Sequence, residues 1–316
     1  MAKPSITNIR PPVEPGGVAE FDLNDLENDE FFALNGTDEF AALLARLNLT
    51  GHGVTLEDLS EYDYAFFGSN GSDMVKAATD MSGVIATGNG SDEIHGDTAA
   101  NVIFAGNGKD TVRGGEGSDI ITGENGVDKL CGNDGDDKVC GGNGKDTLHG
   151  GDGDDTLRGG NGGDQLVGGA GEDRLIGENG GDEFQWNQIT DFGDTLTDFT
   201  AGSDKLVFDV EAADEGTEEL EISIGNDDTV VDDGEVVIYS EGTIATADIQ
   251  AEIDANDNDT GTLFAFLDSD EGHAVVYYDA NPSDPDDDDA VLVAHLENIT
   301  TLDELAGLSA SDFVFA

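Results

Sequence analysis

A nine-residue repeat sets the narrowest limits on how this chain can fold. From Thr87 to Gln185 the sequence divides into eleven consecutive nonapeptides, of which GGNGKDTLH and GGDGDDTLR are two. In most of these units glycine occupies the first, second and fourth positions, aspartate the sixth and an aliphatic residue the eighth. A period of nine fits neither a helix nor one long strand, so each unit has to combine a turn with a short strand. The repeat therefore predicts a solenoid.

Positions seven to nine of each unit describe a strand with one buried face. Triplets such as TLH and TLR place one apolar side chain between two polar ones. Two units make one full coil, so unit n is predicted to stack on unit n+2, with two parallel sheets facing each other across a thin core. One inward aliphatic side chain contributes roughly 1.5–3 kcal/mol, against about 1–2 kcal/mol of backbone entropy for every ordered residue. Burial alone does not hold such a coil together.

The charge of the chain indicates what else stabilises it. The sequence has 71 acidic and 12 basic residues, a formal net charge of -59. This charge argues against nucleic acid or anionic lipid as a partner, because both require Lys and Arg to neutralise phosphate. Stacked carboxylates and glycine-exposed carbonyls are the all-oxygen ligands that a hard divalent cation such as calcium prefers. We therefore expect calcium to link successive coils.

Units such as GGNGKDTLH, GGDGDDTLR and GGNGGDQLV resemble the nonapeptides of the RTX (haemolysin-type) β-roll. The resemblance implies calcium between turns, held by sixth-position aspartates and loop carbonyls from loops two units apart. Eight such pairs have intact loops, and about eight divalent ions would cancel the charge of the 21 acidic and seven basic residues in the repeats. A ninth pair is lost because Asn101 replaces an aspartate. The predicted calcium ligands are Asp92, Asp110, Asp119, Asp128, Asp137, Asp146, Asp155, Asp164, Asp173 and Asp182.

The regions on either side of the repeats are predicted to cap the solenoid. We expect an all-β protein in three parts, with residues 1–67 as a segment of short capping helices, 68–185 as the β-roll and 186–316 as an acidic, antiparallel β cap. Within the first part, residues 37–49 (TDEFAALLARLNL) and 55–67 (TLEDLSEYDYAFF) are predicted to be helical and to plug the open end of the roll. A membrane-active amphipathic helix is the alternative for this segment.

Six apolar runs predict strands in the C-terminal part: DKLVFDV, LEISI, EVVIYS, TLFAFL, AVVYYD and AVLVAHL. The stretch GDTLTDFTAGSDKLVFD resembles the segment that follows the repeats in serralysin-type proteins. The final residues, LSASDFVFA, resemble the C-terminal signal read by type I secretion machinery, and a final edge strand explains the same residues equally well. The sequence has no signal-peptide core or membrane-spanning run, which supports neither Sec export nor a membrane span. The resemblance of the final residues to a type I signal implies export by that route and an extracellular or cell-surface location.

The sequence offers no recognisable catalytic motif. The five histidines lie far apart along the sequence, and neither an H-E-x-x-H zinc motif nor a G-x-S-x-G nucleophile elbow is present. We therefore expect a non-enzymatic, calcium-binding protein that acts as a cell-surface, matrix or S-layer-like structural element, with self-assembly or cell-surface polysaccharide as its further partner. The alternatives are an adhesin or carbohydrate-binding module, and a membrane-active, pore-forming protein.

Overall fold

The computed structural model describes residues 19–22, 64–68, 71–77, 82–208, 236–238, 243–246, 249, 253, 262–279 and 290–315. The first predicted capping helix, at 37–49, lies outside the described residues. The end of the second differs from the prediction, because Tyr64–Phe67 forms a strand that pairs with Gly83–Gly90. The chain divides into two compact units, Met1–Leu148 and His149–Ala316.

The first unit contains the parallel solenoid that the repeat predicts. Each strand pairs in parallel with the strand one coil away, so that Ile103 lies beside Ile121 and Val112 beside Leu130, a register of 18 residues. Stacking of unit n on unit n+2 is therefore confirmed. One sheet contains β1 (Ala19–Asp22), β3 (Asp73–Lys76), β5 (Glu93–His95), β7 (Thr111–Glu116) and β9 (Lys129–Asp134), and the other contains β2 (Tyr64–Phe67), β4 (Gly83–Gly90), β6 (Val102–Gly108), β8 (Ile120–Gly126) and β10 (Lys138–Asn143).

The eighth-position side chains fill the space between the two sheets. Each is at most 2% exposed in the first unit, as expected for one inward residue per strand. Two of the outward residues are cysteines: Cys131 lies on β9 of one sheet and Cys140 on β10 of the other. The core residues are Ile94, Ile103, Val112, Ile121, Leu130, Val139 and Leu148.

Glycine at the second and fourth positions allows the chain to turn after each strand. Gly142 has a φ of 106° and Gly144 a φ of 149°, values that residues with a Cβ rarely adopt. Three residues other than glycine have the left-handed conformation at the second position: Glu124, Asn133 and Glu178, with φ between 68° and 80°. The repeat thus tolerates a side chain at position two, with some backbone strain.

The second unit continues the repeat pattern beyond the last nonapeptide. One sheet contains β11 (Thr147–Asp152, which begins just before the unit), β13 (Gln165–Ala170), β15 (Glu183–Trp186), β17 (Lys205–Phe208) and β22 (Phe313–Phe315). The other contains β12 (Thr156–Asn161), β14 (Arg174–Asn179), β16 (Asp194–Leu196), β21 (Val291–Leu296), β20 (Ala274–Asp279), β19 (Thr262–Leu267) and β18 (Val236–Ile238). The short helical elements include α1 (Leu302–Leu305) and two 3-10 turns, Ile189–Asp191 and Ala310–Asp312.

The predicted antiparallel cap is confirmed at β19, β20 and β21. It is joined to the roll, since β21 pairs in parallel with β16. Its apolar core includes Phe264, Phe266 and Val275, packed against Ile249 and Ile253. Five of the six predicted C-terminal strands are present, and LEISI lies outside the described residues. The end of the chain, β22, pairs with β17 as an edge strand.

Candidate metal sites

The sixth-position aspartates form hydrogen-bonded ladders from coil to coil. The main-chain nitrogen of Asp119 donates to Oδ1 of Asp137 across 2.7 Å, and Asp155 donates in the same way to Asp173. Bonds of 2.7–2.9 Å join six of the eight predicted pairs: 92–110, 110–128, 119–137, 128–146, 155–173 and 164–182. The remaining pairs, 137–155 and 146–164, have one member in each unit.

The second carboxylate oxygen of these aspartates is buried. The Oδ2 atoms of Asp110, Asp119 and Asp128 accept no hydrogen bond, and these residues are at most 1% exposed. Burial raises the pKa of Asp110 to about 6, that of Asp128 to about 7 and that of Asp119 to about 8. A buried carboxylate oxygen without a donor is costly unless a cation compensates it. The arrangement is therefore suited to a bound cation.

Glycine at the first position leaves open space beside this oxygen. A Cβ atom built on Gly123 would lie 2.6 Å from Oδ2 of Asp128 and 2.7 Å from the carbonyl oxygen of Gly141. A Cβ atom on Gly159 would lie 2.6 Å from Oδ2 of Asp164 and 2.9 Å from the carbonyl oxygen of Gly177. Two oxygens from successive coils thus converge on the volume that a side chain would fill. We call this volume the glycine cradle.

The chemistry of the glycine cradle favours a hard cation. Among the residues that the structure describes, no three His, Cys, Asp or Glu side chains lie close enough together to hold a metal. A bound ion would therefore take one or two carboxylates and complete its shell with main-chain carbonyls. Calcium accepts about six to eight such oxygen ligands, whereas zinc prefers nitrogen and sulfur. The predicted ligands fit calcium on this basis.

Three positions near the beginning of the roll depart from this arrangement. Thr87 and Ala105 stand at first positions, so their own Cβ atoms occupy the volume that glycine leaves open. Thr87 Oγ1 also donates to the carbonyl oxygen of Ala105 across 2.8 Å. Asn101 keeps the ladder bond to Asp119, but its side-chain amide donates to Asp97 Oδ1 across 3.0 Å. The early coils therefore offer fewer oxygen ligands than the later ones.

Two ladder residues downstream of the repeats were missed by the sequence analysis. Asp194 Oδ1 accepts the main-chain N–H of Asp173, and its Oδ2 accepts the indole N–H of Trp186 across 2.8 Å. Asp204 likewise accepts from Asp182 through Oδ1 and from Thr200 through Oδ2. The spacing changes from 18 residues to 21 and 22, which hides both from a strict nine-residue period. In the sequence, both aspartates are marked by the triplets DTL and DKL, which have the Asp-x-Leu pattern of the repeat.

The two loop edges of the roll differ at the third repeat position. On one edge Asn107 Nδ2 donates to Asn89 Oδ1 and Asn125 Nδ2 donates to Asn107 Oδ1, each across 3.0 Å. On the other edge the third residues of successive coils include Glu116 and Asp134. An amide ladder adds one hydrogen bond per coil without any metal. In the sequence, this ladder is marked by asparagine at the third position of every second unit, a period of 18 residues. The nine-residue pattern alone hides it, because the third position varies between neighbouring units.

Comparison with known families agrees with this geometry. A family model for the RTX calcium-binding nonapeptide repeat, in four copies, matches residues 86–121, 105–139, 113–148, 140–175 and 149–184. No curated protein sequence matches the chain. The matched segments run without a gap from residue 86 to residue 184 and include every predicted ligand from Asp92 to Asp182. Residues 86–184 are therefore RTX calcium-binding nonapeptide repeats, folded as a parallel β-roll.

Proposed function

We propose that this chain is a secreted, non-enzymatic protein whose roll folds on extracellular calcium and then serves as a cell-surface, matrix or S-layer-like structural element. One observation carries the calcium part of the proposal. Buried carboxylate oxygens, such as Oδ2 of Asp119 and Asp128, have no donor and lie beside the glycine cradle. A divalent ion there compensates the buried charge and links two coils.

The proposed stoichiometry is about eight ions, one for each pair of intact loops. The ligands are the ten sixth-position aspartates from Asp92 to Asp182, completed by loop carbonyls. Thr87 and Ala105 reduce the space at the first coils, so ions bound near Asp92 and Asp110 are expected to be the weakest. Isothermal titration calorimetry with calcium measures both the number of ions and this spread of affinities.

Type I export explains how a calcium-dependent fold reaches the outside. The signal-like residues at the C-terminus include Asp312 and Phe313, which are 0% and 4% exposed in the folded chain. Recognition of these residues therefore has to precede folding. Cytosolic calcium is too scarce to load weak sites, and calcium outside the cell then adds its binding energy to folding. Among the described residues, no helix is long and apolar enough to cross a membrane.

The structural role predicts assembly or surface attachment once calcium is bound. Divalent ions reduce the repulsion that a net charge of -59 imposes between copies of the chain. Negative-stain electron microscopy and light scattering of the purified protein, with calcium and with chelator, test this role directly. Ordered sheets or filaments with calcium support it, and monodisperse monomer under both conditions contradicts it. Glycan binding by the monomer would instead indicate an adhesin, and dye release from liposomes a pore-forming protein.

A further inference from the structure

Two strands of the roll are buried on both faces. In β6, Ile103 points inward, so its neighbours Val102 and Phe104 point outward. Both are nevertheless buried, at 0% and 1% exposure. On β4, the outward residues Val84 and Ala86 are 2% and 6% exposed. A strand with two buried faces requires a further layer of protein packed on the outside of the sheet.

The burial decreases along the sheet and so marks where this layer ends. On β8, outward Thr122 is still 2% exposed, whereas Ile120 is only half-buried. On β10, outward Lys138 is exposed and Cys140 is half-buried. The covering layer therefore lies on β4 and β6, reaches β8 and stops before β10. We call the surface formed by Val84, Ala86, Val102 and Phe104 the outer apolar face.

We propose that residues 37–49 dock on the outer apolar face and form a third layer over the beginning of the roll. This segment carries Phe40, Leu43, Leu44 and Leu47 at helical spacing, an apolar stripe that needs a partner. A helix of this length is about 20 Å long, which matches the roughly 15 Å from β2 across β4 and β6 to β8. The docking site is the side of the roll, in place of the open end that the sequence analysis favours.

The path of the chain brings this segment to the correct sheet. Residues 23–63 connect β1 in one sheet with β2 in the other, and β2 pairs directly with β4. The segment therefore begins and ends at the same end of the roll as the outer apolar face. No other stretch between β1 and β2 combines four large apolar residues at positions i, i+3, i+4 and i+7.

The location of the face gives the docking a physical role. Its strands adjoin the coils in which Thr87 and Ala105 fill the glycine cradle and Asn101 replaces a carboxylate. Apolar burial on the outside therefore stabilises the part of the roll that has the fewest calcium ligands. The unit that carries Asn101, GDTAANVIF, loses the loop pattern and gains an apolar residue at all three strand positions. The docking itself does not depend on the proposed structural role.

Thiol reactivity at the ninth repeat position tests the docking in the full-length, calcium-loaded protein. Phe104→Cys in a Cys131→Ser/Cys140→Ser background is compared with natural Cys140 in a Cys131→Ser background, since both positions point outward from the same sheet. We expect the Phe104→Cys thiol to react with Ellman's reagent at least about tenfold more slowly. Adding Leu43→Glu/Leu44→Glu should raise its rate to that of Cys140, whereas Ala42→Glu, on the opposite side of the predicted helix, should not.

The same comparison can overturn the proposal. Equal rates for the Phe104→Cys thiol and Cys140 would show an uncovered face, and protection that persists with Leu43→Glu/Leu44→Glu would assign the cover to another segment. Protection lost on dilution would assign it to a second copy of the chain. A photoreactive p-benzoylphenylalanine at position 104 keeps an aromatic ring there and tests the contact without a thiol, and its crosslink should map to residues 37–49. A crosslink mapped elsewhere contradicts the proposal.

Discussion

Asp110 and Asp128 occupy the same repeat position one coil apart, and the main-chain nitrogen of Asp110 donates to Oδ1 of Asp128 across 2.9 Å. The bond fixes the orientation of the Asp128 carboxylate. Its Oδ2 is left buried, without a donor, beside the cradle of Gly123. One carboxylate thus provides a protein hydrogen bond along the ladder and an oxygen for a cation.

Removing the charge of one such carboxylate should remove calcium without removing the ladder bond. Asp128→Asn keeps an oxygen that can accept from Asp110 but lacks the anionic Oδ2. We expect calorimetry to show one or two fewer bound ions than in the parent protein. Val127→Ala, in the same loop at a residue that is 49% exposed, is the matched control and should leave the number unchanged. An unchanged stoichiometry in Asp128→Asn would contradict the ligand assignment.

Filling the glycine cradle should weaken calcium binding by a steric route. In Gly123→Ala the added methyl group would lie 2.6 Å from Oδ2 of Asp128, so the carboxylate or the backbone has to move. We expect a loss of about 1–3 kcal/mol in the unfolding free energy of the calcium-loaded protein, measured by urea denaturation. The reverse change, Ala105→Gly, opens the cradle at a natural exception and should strengthen binding. The cradle therefore predicts weaker calcium binding in Gly123→Ala and stronger calcium binding in Ala105→Gly.

The metal-free roll should become more stable as the pH falls. Burial raises the pKa of Asp110 to about 6, that of Asp128 to about 7 and that of Asp119 to about 8, from an ordinary value of 3.8. The folded chain then binds more protons than the unfolded chain between about pH 4 and pH 8, so the unfolding free energy decreases as pH rises through this range. With calcium bound the dependence should reverse, since protons and the ion compete for the same oxygens.

Circular dichroism in chelator at pH 5 and at pH 8 measures this effect. We expect more β-structure at pH 5, and a smaller difference in Asp119→Asn, which cannot titrate. Equal or greater order at pH 8 would show that the buried carboxylates do not govern the stability of the metal-free chain.

The far end of the roll should depend on Asp312 irrespective of calcium. Its Oδ1 accepts the main-chain N–H of Gly202 across 2.7 Å and lies 3.6 Å from Nζ of Lys205, and the residue is 0% exposed. Asp312→Ala leaves these donors without their acceptor, so we expect a loss of about 1–3 kcal/mol in urea denaturation with calcium present. Asp303→Ala, an exposed change in α1, is the control. An equal loss of unfolding free energy in the two variants would contradict a stabilising role for Asp312.

The sequence predicts the repeating part of this fold well because one short pattern specifies it. Glycine, aspartate and the aliphatic eighth residue recur every nine positions, and the stacking, the two sheets and the buried core follow from that period. Asp194 and Asp204 could not be found from this period, since insertions move them out of register and only their Asp-x-Leu triplets mark them in the sequence. The strand at Tyr64–Phe67 was assigned to a helix because its aromatic residues suit either structure until their partner in β4 is known.

The outer apolar face was overlooked for a related reason. A β-roll repeat is expected to have one inward residue per strand, so Val102 and Phe104 read as irregularities in a degenerate unit. Their burial shows instead that the strand packs on both sides. Local periodicity identifies the inner face of a sheet, while a second layer depends on distant parts of the chain.

The central claim is that metal has to bridge successive coils before this roll is stable. Thermal unfolding followed by far-ultraviolet circular dichroism at neutral pH, with saturating calcium and with excess chelator, tests it most directly. We expect a cooperative β-sheet transition with calcium and the loss of most of that signal at all temperatures in chelator. A metal-free protein with the same spectrum and the same melting temperature would contradict the account.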